Sequence, residues 1–184
     1  MDSLVPAFVA ALLAGLNDRP AWRAAIDADA RGSLGLVVVA TVLAQALVGA
    51  AAALGGNLIA ASLAPNARAL LLGFALLCAG IGGLWPAKPP KPSAGGVAGL
   101  VVTIIAGCFS DRAAFVTFAL AARGPSSVLA GIGGAAGGIV LAVVAVALGA
   151  RAWRRVAGPG AALASNAVLI LVGTVAGLSA LRLI

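Results

Sequence analysis

The chain has 184 residues, of which 62% are hydrophobic and 9% charged, with no histidine, tyrosine or glutamate. Soluble domains carry about 25% charged residues, so this composition describes a chain whose solvent is a lipid bilayer. The formal charge of +7 comes from basic residues spread singly between apolar runs; that pattern excludes the basic face of a nucleic-acid-binding domain, and the missing acid/base pairs and metal triads argue against an enzyme or a bound cofactor.

The first apolar run, 4–16, lacks the basic start of a signal peptide and leads into charges rather than a cleavage site, so it is read as the opening of a membrane helix covering about 4–30. That helix contains "GLNDRPAW" (15–22), which sets Asp18, Arg19 and Pro20 in apolar surroundings. A second helix is expected over about 33–54 and a third over about 67–85, with the short connection around Pro65 suiting antiparallel neighbours. "WPAKPPKPSAGG" (85–96) has four prolines, which cannot continue a helix and favour an extended linker. Beyond it come helices over about 97–122, 127–150 and 161–183. The first of these contains "CFSDRAAF" (108–115), a second Asp-Arg pair at Asp111 and Arg112. The expected fold is all-α and polytopic, with six spans approaching or exceeding the roughly 20 residues that cross a bilayer.

The two halves repeat. A shift of 93 residues lays Asp18-Arg19 on Asp111-Arg112, Ala21 on Ala114 and Trp22 on Phe115; one further residue lays Pro65 on Pro159 and Gly83-Leu84 on Gly177-Leu178. The organisation is therefore a first three-helix repeat (1–85), a proline-rich linker (86–96) and a second repeat (97–184). Three spans per half make the second copy inverted, as in many secondary transporters. Arg23, Arg31, Lys88, Lys91, Arg151, Arg154 and Arg155 gather on one side against Arg68, Arg123 and Arg182 on the other. The positive-inside rule then makes the linker cytoplasmic and puts both termini outside.

Each motif has about 14 residues before it in its helix, a rise of roughly 21 Å, which sets both Asp-Arg pairs inside the bilayer. Ionised groups at that depth face the bundle interior and mark ion or proton paths. Pro20 and Asn17 favour a helix break, which frees carbonyls and dipole ends beside an ion. Inverted copies bring Asp18 and Asp111 towards one centre, with Asn17 and Ser110 as neutral oxygen donors, a set suited to calcium, manganese or magnesium; the same acids also suit protons. Arg19 and Arg112 serve as internal counter-charges. A second reading stands beside this one: Asp18 with Arg112, or Asp111 with Arg19, as crossed salt bridges that only pin the halves together.

At these residues the chain resembles the Gdt-type cation/proton antiporters, the Golgi manganese and calcium transporters and their bacterial relatives. Members of that family carry Glu-x-Gly-Asp-(Lys/Arg)-(Thr/Ser) in the first helix of each inverted half. By position the family aspartates fall on Asp18 and Asp111, its basic residues on Arg19 and Arg112, and its glutamates on Gly15 and Cys108, which leaves Cys108 as a thiolate ligand in one half only. The resemblance implies export of a divalent cation in exchange for protons across a bacterial-type inner membrane. The alternative is a relative of the same fold that has become a structural or accessory protein.

Other features have plainer readings. Cys78 and Cys108 lie in apolar runs, where a free cysteine is usually a small buried hydrophobe. The glycines of "GIGGAAGG" (131–138) lack the lysine of a phosphate loop and suit close helix approach, which would also permit a homodimer. "RAWRR" (151–155) reads as an interfacial anchor with Trp153 at the headgroups.

Overall fold

Backbone polar groups in a bilayer find no water, so each apolar segment must close its hydrogen bonds on itself, which the α-helix does locally. The computed structural model describes residues 2–16, 18–85 and 88–183. Among these the regular structure is eight helices: α1 (Leu4–Gly15), α2 (Arg19–Arg31), α3 (Leu34–Ser62), α4 (Pro65–Gly82), α5 (Val97–Phe109), α6 (Arg112–Arg123), α7 (Ser127–Val156) and α8 (Pro159–Ala180). Two short helices, a long one and a medium one follow one another twice.

Four helices, α3, α4, α7 and α8, are long and apolar enough to cross a membrane, and α5 with α6, bent by 55° at the break between them, has the length and composition of a broken span or a re-entrant loop. The segment expected as the first span is split: α1 is apolar but has only 12 residues. Its continuation, α2, carries Arg19, Arg23, Asp27, Asp29 and Arg31. Outward surfaces agree with a lipid setting. Along α3, Val39, Leu43, Leu47, Leu54 and Leu58 are exposed, Leu58 by 74%, a row that water would disfavour. The protein is an all-helical, membrane-embedded chain.

Helix α7 lies at the centre, with α1, α2, α3 and α6 against it, while α4 pairs with α8 and closes on α6. The buried clusters are mostly alanine with a few Val, Leu and Ile, so backbones come close. Helices α3 and α7 approach closely from both sides: a Cβ built on Gly49 falls 2.6 Å from the Gly131 carbonyl oxygen, and one on Gly131 falls 2.5 Å from that of Gly49. Further along α7, Gly133 and Gly137 meet α1, and Gly134 meets Thr117.

Two expectations are corrected. Helix α3 runs on to Ser62 rather than ending near 54, because Gly55 and Gly56 pack on Phe118 and Ala121 of α6 and so continue the interface instead of stopping the helix. Helix α7 breaks at Gly149, whose φ of 76° is open to glycine, and resumes in a new direction. The turn carries Trp153 into a cluster with Ala21, Ala25, Leu141 and Ala145. At 2% exposure Trp153 is a core residue, packed against protein and not presented to lipid as an anchor.

The α3–α7 contact leaves no space for a side chain, and overpacking of this kind costs about 1–3 kcal/mol or more. Gly131→Val is therefore expected to lower the unfolding temperature in detergent by several degrees, whereas Gly35→Ala, at an open position, leaves it within about a degree.

Candidate functional site

The site is made where two helix breaks meet. Helix α1 ends at Gly15, and Asp18, with extended backbone (φ −107°, ψ 166°), starts α2 by accepting the Arg19 backbone N–H at 2.7 Å. An aspartate is a preferred N-cap, and Pro20 in the first turn has no N–H to lose. In the second half Asp111 (φ −76°, ψ 141°) separates α5 from α6 and accepts the Ala113 N–H at 3.1 Å. The charged motif is thus first a capping device, which starts a new helix inside an apolar segment.

Arg112, the first residue of α6, ties the breaks together. Its Nε donates to Asp18 Oδ2 at 3.0 Å, and its backbone N–H reaches the same oxygen at 3.4 Å. Nη1 donates to the Ala79 carbonyl at 2.8 Å and Nη2 to the Ala14 carbonyl at 3.2 Å. Those carbonyls lie in the last turns of α4 and α1, where helix ends leave acceptors unfilled and favour positive charge. Gly83 makes the approach to α4 possible, since a Cβ there would overlap Arg112 Nη1 and Asn166 Oδ1. The Asp18 and Asp111 carboxyls lie within hydrogen-bonding reach of each other.

Three cavities surround this knot. One of about 450 Å³ reaches Asp18 past Trp22, Arg154 and Asn166, with the Arg154 guanidinium 5.3 Å from the Trp22 ring centre. Another, of about 620 Å³, lies between α2 and α5 and contains Asp18, Arg19, Arg23 and Ser110. Asp111 lines a different space, a groove of about 470 Å³ between α3 and α4 with α6 as its floor. Arg112 borders both the second cavity and the groove.

Of the residues expected at the site, Asp18, Asp111 and Arg112 come together. Ser110 is exposed beside them and gives its hydroxyl hydrogen to the Gly107 carbonyl at 3.0 Å. Cys108 is buried with Ala24, Leu100, Ile104 and Ala142, in the company of a small hydrophobe. Asn17 lies outside the described residues. Among the described residues no group of three or more Cys, Asp, Glu or His is poised to hold a metal. The crossed arrangement is realised once: Arg112 takes Asp18, while Arg19 is exposed and makes no ion pair with Asp111. Arg23, counted among the bases of the connection, is one helical turn beyond Arg19 and lines a cavity instead.

The structure also adds a clasp that the sequence reading omitted. Asp27 is fully buried and accepts both the backbone N–H and the hydroxyl of Ser93 at 2.7 Å, while Arg31 donates to the Ser93 and Gly95 carbonyls at 3.0 and 2.9 Å. Asp29 accepts the Ala150 N–H at 3.0 Å, just past the α7 break. Two acids in the last turns of a helix oppose its dipole, so both need outside donors. That mismatch was the available signal.

The chain matches no family model, no curated protein and no solved structure.

Because Arg112 and Asp18 are mostly shielded, at 18% and 15% side-chain exposure, breaking the pair takes the counter-charge from a carboxylate and a charged donor from two helix-end carbonyls. Arg112→Gln is expected to cost about 3–5 kcal/mol, read from unfolding in detergent, against about 0.5 kcal/mol or less for Arg19→Gln at an exposed position.

Proposed function

We propose that the chain is a secondary transporter that exports a divalent cation, manganese or calcium, in exchange for protons, at the meeting of two inverted three-helix halves. One observation carries this reading: Asp18 and Asp111, far apart in sequence, stand at paired helix breaks with their carboxyls in reach of each other. Two carboxylates side by side in a bilayer need a proton or a cation between them, and oxygen donors suit hard divalent ions. Arg112 supplies the competing charge. A divalent ion entering between the acids displaces Arg112 and the shared proton, and the reverse step reloads them.

Asp18 belongs to cavities on one side of Arg112 and Asp111 to the groove on the other, as alternating exposure of a central site requires. The unequal use of Arg112 and Arg19 fits the same scheme. In an inverted-repeat transporter the halves exchange conformations between states, so Arg19 takes Asp111 in the opposite state. Arg31 bonds to the linker and Lys88 and Lys91 lie on it, a gathering of bases that supports a cytoplasmic linker; with six spans both termini are then outside.

The Asp18–Arg112 pair favours a second reading, a structural member of the same fold in which the knot only joins the halves. Transport separates them. Manganese or calcium uptake into inverted membrane vesicles under an imposed proton gradient is expected for the wild type and is expected to fall at least tenfold in Asp18→Asn and Asp111→Asn at equal protein. A folded wild type that moves neither ion favours the structural reading.

A further inference from the structure

We propose that the cavity between α2 and α5 binds a phosphate-class oxyanion, held by Arg19 and Arg23. Its lining carries three arginines and one aspartate, and Asp18 is already committed to Arg112 at 3.0 Å. That leaves Arg19 and Arg23 with no carboxylate in ion-pairing range among the described residues. They are four residues apart on α2, so they share a face and serve one ligand. Arg23 Nε is buried without a hydrogen-bond partner, and an unmet charged donor is among the costlier defects in a folded chain.

What would meet it is an anion. Two guanidinium forks match the several oxygens of a phosphate better than a spherical halide, and a doubly charged oxyanion balances two arginines. Val102, Ile104, Ala106 and Trp85 supply apolar wall around these donors. Thr103 and Ser110 donate their hydroxyls to the Gly99 and Gly107 carbonyls at 2.7 and 3.0 Å, so the donors left in the cavity are the guanidinia. The phosphate has two sources: the free ion, or the headgroup of an anionic phospholipid entering beside Val102, which is 66% exposed.

The test is equilibrium dialysis of the whole chain, in non-ionic detergent free of phospholipid, against radiolabelled inorganic phosphate at fixed ionic strength in chloride. One saturable site per chain is expected, weakened at least tenfold in Arg23→Gln and in Arg19→Gln and unchanged in Arg155→Gln. Arg19 is exposed, so its variant decides the matter should Arg23→Gln fail to fold. Native mass spectrometry with phosphatidylglycerol is the second arm: lipid binding with the same arginine dependence, in place of phosphate binding, assigns the site to a headgroup. Binding of neither probe in an arginine-dependent way overturns the proposal. Neither arm uses a gradient or a divalent ion, so the outcome is independent of cation transport.

Discussion

A guanidinium inside a bilayer brings five N–H donors and finds no water to receive them, so several acceptors must converge wherever it is placed. Arg112 gathers the Asp18 carboxylate and the carbonyls of Ala14 and Ala79. Those acceptors are a cap and two helix-end carbonyls, of which that of Ala79 also takes the Gly83 N–H at 3.2 Å. One side chain therefore makes it tolerable for α1 and α4 to finish, and for α2 and α6 to begin, within the same small volume. The breaks, the cavities beside them and the short lengths of α1 and α2 all depend on that exchange of donors and acceptors.

The asymmetry of the knot is its most informative property. Two motifs of matching sequence take different roles, with Arg112 drawn inward and Arg19 exposed. A purely structural duplication has no need for one engaged and one free copy, whereas a site proposed to open alternately on two sides does. The clasp at the far end of α2 adds a mechanical link. Ser93 and Arg31 fasten the linker to the helix whose other end is capped by Asp18, so movement of the linker and movement of the capped break are joined through 13 residues of α2.

Much of the centre was legible in the sequence, because charge in an apolar run is costly and a repeat of it is conspicuous. Asp18, Asp111 and Arg112 were found that way, and Pro20 marked the first break. The length of α3 was not legible, since Gly55-Gly56 looks like a stop until α6 is seen packed on it. The place of Trp153 was hidden by the break at Gly149, which changes the direction that a straight helix would give. Which arginine pairs with which aspartate was equally hidden, because two near-identical motifs offer two symmetric answers and only packing selects one. The role of Asp27 required its partner Ser93 from across the chain, beyond the reach of local pattern.

The central claim is that Asp18 and Arg112 act as one unit joining the halves. A double-mutant cycle of Asp18→Asn and Arg112→Gln, followed by reversible unfolding in detergent, measures that directly. The account predicts a coupling of about 2 kcal/mol or more, with the double variant hardly less stable than Arg112→Gln alone. Losses that add to within about 0.5 kcal/mol would contradict it and would mean that the two residues hold the fold separately.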